Sequence, residues 1–210
     1  MDIKQATKLY EEWLSRRMPL IKSDLAWKHQ RMSESPFSLL RATCYRWAQL
    51  WPEVCPELAA APWVLGVGDL HVENFGTWRD GEGRLVWGVN DFDEACPIPY
   101  TTDLVRLTVS ARLAFESKYL SSDADAASEA ILTGYKNALD KGEQPLVLAE
   151  SHRWLRDLAM SDLRDPVQYW DKLTGLPALG KAPPPDVKKA LGQALPESGL
   201  SFRIVHRRAG

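Results

Sequence analysis

The first quarter of the chain alternates apolar and charged positions with the period of a helix. Apolar side chains recur at three- and four-residue steps through residues 3–18 and again through residues 37–50. Pro19 follows the first segment, and Pro36 and Pro52 bracket the second. Because proline suits the first turn of a helix but interrupts its interior, we predict two amphipathic helices with these limits.

The pattern then changes to short apolar runs rich in strand-forming residues. Residues 63–67 read as a strand that Gly68 ends. Two further runs, at 75–79 and 84–89, flank an Asp-Gly step, which is a strong signal for a tight antiparallel turn. We therefore predict a small antiparallel hairpin preceded by one more strand.

The rest of the chain is mostly helical in pattern. Apolar positions on several sides of residues 102–118, with Thr102 as the N-cap, predict a buried helix. Further segments that we predict from their periodicity are helices at 121–140, 146–163 and 187–195 and the start of a strand at 202–205. Residues 173–185 are rich in glycine and proline, which is typical of a linker.

Composition narrows the class of protein. The chain has 210 residues, of which 45% are hydrophobic and 26% charged, as in a globular protein with one core. A net charge of -2 provides no electrostatic attraction for nucleic acid. No apolar run approaches the roughly 18 residues that span a bilayer, and the N-terminus has no apolar signal core. We expect no nucleic-acid partner and no membrane partner.

The cysteines bear on the cellular compartment. Cys44, Cys55 and Cys96 are odd in number and have no CxxC spacing. This pattern favours reduced thiols over a disulfide framework or a zinc site. We therefore expect a cytoplasmic protein.

Two polar motifs follow the predicted strands. The segment 68–74 reads Gly-Asp-Leu-His-Val-Glu-Asn, and 90–93 reads Asn-Asp-Phe-Asp. A phosphoryl-transfer site uses one Asp to orient or deprotonate a hydroxyl, and an Asn and an Asp to hold magnesium. Asp69, Asn74 and Asp91 have the types and spacing for these roles. The alternative interpretation is that they are turn and capping residues.

These motifs resemble those of a known superfamily. Gly68-Asp69-Leu70-His71-x-x-Asn74 is similar to the catalytic loop of the aminoglycoside phosphotransferase and choline kinase group of protein-kinase-like enzymes. The segment 89–95 resembles that group's metal-binding segment, and Asp103-Leu104 resembles the Asp-Leu pair that begins a helix of its C-lobe.

A closer resemblance is to a bacterial family, domain of unknown function 2252. That family has a Met-x-x-Ser-Pro-Phe segment like residues 32–37, followed by an arginine like Arg41. It also has Gly-Asp-x-His-x-x-Asn-Phe-Gly, as in residues 68–76, and Asn-Asp-Phe-Asp-Glu, as in residues 90–94. The resemblance is strong over residues 28–112 and looser elsewhere.

The resemblance implies roles for individual residues. Asp69 would be the catalytic residue, and Asn74 and Asp91 the magnesium ligands. Residues that would support the site are Arg41, His71 (which would brace the loop through a ring N–H), Asp93 on the metal side, and Asp103 with a structural role. The implied fold is α+β and mainly helical, like a kinase C-lobe, with a small antiparallel hairpin carrying the site. The implied cofactors are Mg²⁺ and ATP.

The nucleotide-binding half of a kinase is not evident in this sequence. A kinase needs a glycine-rich loop and a strand lysine, yet the first sixty residues contain no glycine. We therefore expect three parts: a kinase-like region with N-terminal helices (1–172), a linker (173–185), and a short helix with the start of a nucleotide-binding lobe (186–210). The chain is then expected to be a fragment or a truncated member of the family.

The leading functional prediction is a magnesium-dependent phosphotransferase that acts when the nucleotide-binding half is supplied. The sequence leaves the phosphate acceptor and the oligomeric state open. One alternative is a non-catalytic kinase-like binding module. Another is a metal-dependent phosphohydrolase that uses Asp69, His71, Asp91 and Asp93.

Overall fold

The computed structural model of the chain describes residues 1–116, 123–142, 144–161, 166–176 and 183–195. Two units separate along the chain, one from Met1 to Arg153 and one from Trp154 to Gly210. Within the described residues, every paired strand lies in the first unit. The predicted strand at 202–205 lies outside the described residues, as do 177–182 of the predicted linker.

Five helices open the first unit. They are α1 (Ile3–Ser15), α2 (Lys22–Glu34), α3 (Pro36–Ala42), α4 (Cys44–Val54) and α5 (Pro56–Ala59). The side chain of Asp2 accepts the N–H of Gln5 and the Gln5 side chain bonds back, which caps α1. The helix α2 was not predicted because its sequence shows no clear apolar face. In agreement, none of its residues is buried.

The single helix predicted for residues 37–50 is wrong. The helix is interrupted at Thr43, whose backbone has φ -131° and ψ 42°, so that two helices, α3 and α4, form instead. The Thr43 hydroxyl is buried and donates to the carbonyl oxygen of Leu39 at 2.6 Å. Pro52 lies inside α4 rather than beyond its end.

Two small antiparallel sheets follow. In one, β1 (Trp63–Gly66) pairs with β4 (Cys96–Pro99). In the other, β2 (Phe75–Arg79) pairs with β3 (Leu85–Val89), confirming the predicted hairpin, and β3 pairs in turn with β5 (Leu146–Val147). The described part of the chain is thus a mixed α/β protein with small antiparallel sheets, as predicted at this level.

The helix predicted from residue 146 to 163 is wrong at its start and is interrupted at His152, while residues 162–163 lie outside the described residues. Its first two residues form β5, because Val147 pairs with Val86 and is buried on the edge of the sheet. Two short helices follow, α8 (Leu148–Ser151) and α9 (Arg153–Ala159). Pairing with a distant strand has therefore overridden the local helical pattern.

The two longest of the described helices follow β4. They are α6 (Tyr100–Glu116), which packs on β1 and β4, and α7 (Ala124–Lys141), which packs on α6 and is capped by the Asp123 side chain. In the second unit, α10 (Pro166–Thr174) and α11 (Pro185–Ala194) take up the two ends of the predicted linker. The predicted domain limits stay a prediction. None of the described helices combines the length and apolarity needed to cross a membrane.

Candidate functional site

The loop after β1 is fixed by a helix far along the chain. The Asp103 carboxylate, on the first turn of α6, accepts the backbone N–H of Val67 at 2.6 Å and of Gly68 at 2.9 Å. Gly68 has φ +86°, and a Cβ there would overlap the carbonyl oxygen of Glu94. Only glycine meets both conditions easily, so the chain turns sharply here and presents Asp69.

Asp69 is held by a buried arginine. The Arg106 guanidinium, wholly buried on α6, donates from Nε to Asp69 Oδ1 at 2.9 Å and also from Nη2. The same Nη2 donates to the carbonyl oxygen of Leu40 in α3 at 2.8 Å. Arg106 Nη1 is buried and has no hydrogen-bond partner among the described residues. The Asp69 side chain remains 16% exposed, so solvent reaches its rim.

Asn74 joins the two motifs. Its side chain is almost fully buried, and Nδ2 donates to the main-chain oxygens of Asp69 and of Asp91, each at 3.2 Å. The backbone pairs as well, because Asn90 N–H donates to the carbonyl oxygen of Asn74 at 3.2 Å. Asn74 Oδ1 is buried and has no hydrogen-bond partner in the described part of the chain. The amide therefore brings Asp69 and Asp91 together and leaves one free acceptor beside them.

Carboxylates concentrate at the same place. Asp91 and Asp93 are exposed on the loop after β3, where the Asp93 N–H approaches Asp91 Oδ1 at 3.4 Å. Burial raises the pKa of the Glu94 carboxyl, and the negative charges of Asp69, Asp91 and Asp93 raise it further. The loop after β3 thus carries a local excess of negative charge, which favours a cation, and the Asp91 main chain is bonded to the Asn74 amide.

Asn74 and Asp91 have oxygen donors, the type that a hard cation such as magnesium prefers over the nitrogen and sulfur ligands of many transition metals. No group of three His, Cys, Asp or Glu side chains placed to hold a metal occurs among the described residues. Magnesium is commonly bound through one or two protein oxygens, with water and phosphate supplying the rest. Asn74 Oδ1, which has no partner among the described residues, and the exposed Asp91 carboxylate are donors of that type.

His71 and Arg41 lie at the edge of this arrangement. His71 is buried, with Nε2 3.8 Å from Asp69 Oδ2, too far for a hydrogen bond, and with its ring edge-on to Phe37. The expected bracing bond from His71 is therefore not seen. Burial lowers the pKa of His71. Arg41 instead pairs with Glu73 at 2.5 Å on the surface.

The sequence interpretation missed Arg106 and Ser110. Together with Asp103 they form what we call the polar face of α6, spaced three and four residues apart. Ser110 Oγ accepts the backbone N–H of Val72 at 3.1 Å. The signal was present, because three polar residues at helical spacing interrupt a largely apolar helix and so point to one buried polar face.

Comparison with known proteins agrees with the motifs. No curated protein and no solved structure matches the chain. The profile of one family, described as an uncharacterized protein conserved in bacteria (DUF2252), matches residues 20–165 and so includes both motifs and the polar face of α6. The chain belongs to the DUF2252 family of bacterial proteins.

Proposed function

We propose that the chain carries the metal-binding and catalytic residues of a magnesium-dependent phosphotransferase of the protein-kinase-like type, with a C-lobe-like arrangement of its site, which acts when a nucleotide-binding half is supplied. One observation carries the proposal. Asn74 hydrogen-bonds the main chain of both Asp69 and Asp91 and keeps a buried, unpartnered oxygen beside them. A buried polar atom without a partner costs free energy, so its persistence is explained if a ligand engages it.

Each residue then has a distinct task. Asn74 Oδ1 and the Asp91 carboxylate would hold magnesium, which when bound neutralises charge on the phosphates of ATP. Arg106 occupies Asp69 Oδ1 and so orients the carboxylate, while Oδ2 has no hydrogen bond among the described residues. Asp69 Oδ2 is therefore the atom that would accept the proton of the attacking hydroxyl.

The proposed reaction transfers the γ-phosphoryl group of ATP to a hydroxyl of the acceptor. The acceptor oxygen forms a bond to the γ-phosphorus of ATP, while the bond from that phosphorus to the β–γ bridging oxygen breaks. ADP departs with the electron pair of the broken bond, and the hydroxyl proton passes to Asp69. The acceptor leaves as a phosphate monoester. Positioning and charge neutralisation supply most of the catalysis in such transfers.

The Asp69–Arg106 ion pair favours a second candidate, a non-catalytic kinase-like binding module. The hydrogen bonds from the buried Arg106 guanidinium to Asp69 Oδ1 give this carboxylate a structural role in the loop whether or not it accepts a proton. Such a protein would still bind magnesium and nucleotide but would transfer no phosphate. Turnover separates the two candidates, whereas metal binding tests both.

The metal half of the site can be tested with Mn²⁺, a paramagnetic substitute for magnesium. We expect the Asn74→Ala and Asp91→Asn variants to bind Mn²⁺ at least about tenfold more weakly than the parent chain, because each removes a ligand oxygen. Electron paramagnetic resonance of free Mn²⁺ measures the change. Asp140→Asn, a change in an exposed carboxylate on α7, is the matched control and should leave binding unaltered.

Mg-ATP titration and ADP release complete the test. Where the parent chain turns over Mg-ATP, Asp69→Asn should lose about a hundredfold or more in turnover, since it removes the proton acceptor. The melting temperature of this variant is measured alongside, because the change leaves the buried Arg106 without its carboxylate partner. Equal Mn²⁺ binding by all the variants would contradict the proposed metal site. Mg-ATP binding without turnover in the parent chain would support the binding module instead.

A further inference from the structure

A cleft of about 500 Å³ opens beside the Asp69 loop. Gly68 and Glu94 line it, and Gly68 precedes Asp69 of the proposed site of transfer. Its other walls come from α1, α2, α3, α4, β4 and α6 and include Tyr10, Lys28 and Tyr45. The cleft is large enough for a small molecule, and its lining includes aromatic, cationic and acidic side chains.

Lys28 supplies a positive charge beside the aromatic side chains of the cleft. Tyr10 and Tyr45 stack with ring centroids 4.2 Å apart. The Lys28 ammonium lies 5.5 Å from the Tyr10 centroid and 6.0 Å from that of Tyr45. The described residues place no carboxylate within ion-pair distance of it, although most of the neighbouring cations are paired. Lys28 is half-buried, and the contacts described for its ammonium are with the two tyrosine rings. Such an ammonium is suited to receive an anion.

Two further polar groups of the cleft are unsatisfied. Trp47 Nε1 and Thr102 Oγ1 are both buried, and neither has a hydrogen-bond partner among the described residues. An indole N–H can only donate, and a hydroxyl can donate as well as accept. Both therefore match the oxygens of a carboxylate or phosphate. This is a second observation, independent of Lys28, that points to a ligand with acceptor oxygens.

The aromatic walls indicate the body of the ligand. Tyr10, Trp13 and Tyr45 line the cleft, and Tyr10 stacks on each of the other two. An aromatic lining of this kind favours an apolar or ring-shaped body. Asp93 and Glu94 also line the cleft, and their carboxylates can accept a hydrogen bond from a hydroxyl.

We propose that this cleft binds the phosphate acceptor, a small hydroxyl-bearing compound with an apolar or ring-shaped body and one anionic group, a carboxylate or a phosphate ester. The anionic group contacts Lys28, and the hydroxyl points toward Gly68 and Asp69. The identity of the ligand as an acceptor rests on the proposed phosphotransfer, but its binding does not.

Four probes that share a phenyl ring test the charge preference without metal or nucleotide. Phenyllactate carries a carboxylate and a hydroxyl, and phenyl phosphate carries a phosphate ester. 3-Phenyl-1,2-propanediol is neutral, and phenylalaninol is a cation. Isothermal titration, supported by saturation-transfer NMR, should show that the two anions bind more tightly than the neutral and cationic probes. The tighter of the two anions identifies the preferred group.

Variants of Lys28 locate the binding. Lys28→Gln should weaken phenyllactate binding about tenfold, the value of one charge-assisted contact, and Lys28→Arg should restore most of it. Lys22→Gln on the same helix, an exposed lysine outside the cleft, should change nothing. Unchanged melting temperatures show that the variants fold.

Three results would overturn the proposal. They are tighter binding of phenylalaninol than of phenyllactate, equal phenyllactate affinity in Lys28→Gln and parent chain, or no binding of either anion at millimolar concentration. If Mn²⁺ binding fails while phenyllactate binding depends on Lys28, the cleft is supported and only the phosphotransfer is lost.

Discussion

At the scale of single residues, buried polar groups define this site. Asn74 and Arg106 are both almost completely enclosed, and each hydrogen-bonds to two separate segments of chain. Polar groups are costly to bury and are retained where their partners are fixed. Both side chains thus hold Asp69. Asn74 donates a hydrogen bond to the Asp69 main-chain oxygen, and Arg106 donates to the Asp69 carboxylate.

His71 predicts a pH dependence of stability. Burial lowers its pKa in the folded chain below the unfolded value of about 6.5. As pH falls through that value, the unfolded state takes up a proton before the folded state does, so stability is lost toward lower pH. We therefore expect the chain to lose stability on acidification from about pH 7.5 to 5.5, because the buried His71 ring resists protonation.

Urea unfolding at the two pH values measures this dependence. The His71→Gln variant should lose less stability on acidification than the parent chain, because it lacks the titrating ring. His152→Gln, a change in an exposed histidine outside the site, is the matched control and should titrate like the parent. A parent chain and a His71→Gln variant with the same pH profile would refute the prediction.

At the scale of elements, α6 acts as the template for the loop after β1. Its polar face contacts the loop three times: Asp103 bonds the N–H groups of residues 67 and 68, Arg106 bonds Asp69, and Ser110 bonds Val72. The loop conformation therefore depends on α6 more than on its own residues.

Asp103→Asn should destabilise the chain by about 2–3 kcal/mol. The carboxylate accepts two N–H groups, and an amide in its place would turn an NH₂ group toward one of them. Chemical denaturation measures the loss. Thr108→Ala on the same helix is a suitable control, since Thr108 bonds only the Leu104 carbonyl of its own helix. A loss in Asp103→Asn no greater than in Thr108→Ala would argue against the template role.

Local signals predicted some elements and missed others. The hairpin at 75–89 was predictable because the Asp-Gly turn and its flanking apolar runs are adjacent in sequence. The helix interruption at Thr43 is accompanied by a local bond, from its hydroxyl to the carbonyl oxygen of Leu39 four residues earlier, and no pattern in the sequence indicated it. Val147 joins a sheet because of a distant partner, Val86, which single-sequence periodicity does not register. The same holds for Arg106, whose partner Asp69 is thirty-seven residues away. Motif spacing identified the loop residues but not the helix that holds them.

At the scale of the whole molecule, the first unit contains the described core. Every core hydrophobic residue of the described part lies between Ala6 and Leu148, and β5 with Leu148 completes the sheet begun by β2 and β3. The candidate site lies within the same unit. The residues that follow are thus not needed for any strand pairing that the structure describes.

We therefore expect a chain ended at Arg153 to unfold cooperatively, with a melting temperature within a few degrees of the parent. Differential scanning calorimetry measures both properties. A chain ended at Gly142 provides the contrast, because it lacks β5 and the fully buried Leu148 and should lose several kcal/mol. A non-cooperative transition in the chain ended at Arg153 would show that the second unit is required for folding.

The Asp69–Arg106 pair limits how this sequence can diverge. Replacing either residue alone leaves an unpaired charge in a buried position, which typically costs about 3–5 kcal/mol and rivals the whole stability of a small domain. Replacing both by apolar residues of similar size avoids that cost but removes the proposed proton acceptor. We therefore expect the two positions to change as a pair during evolution, and a homologue that has lost both would lack the proposed proton acceptor.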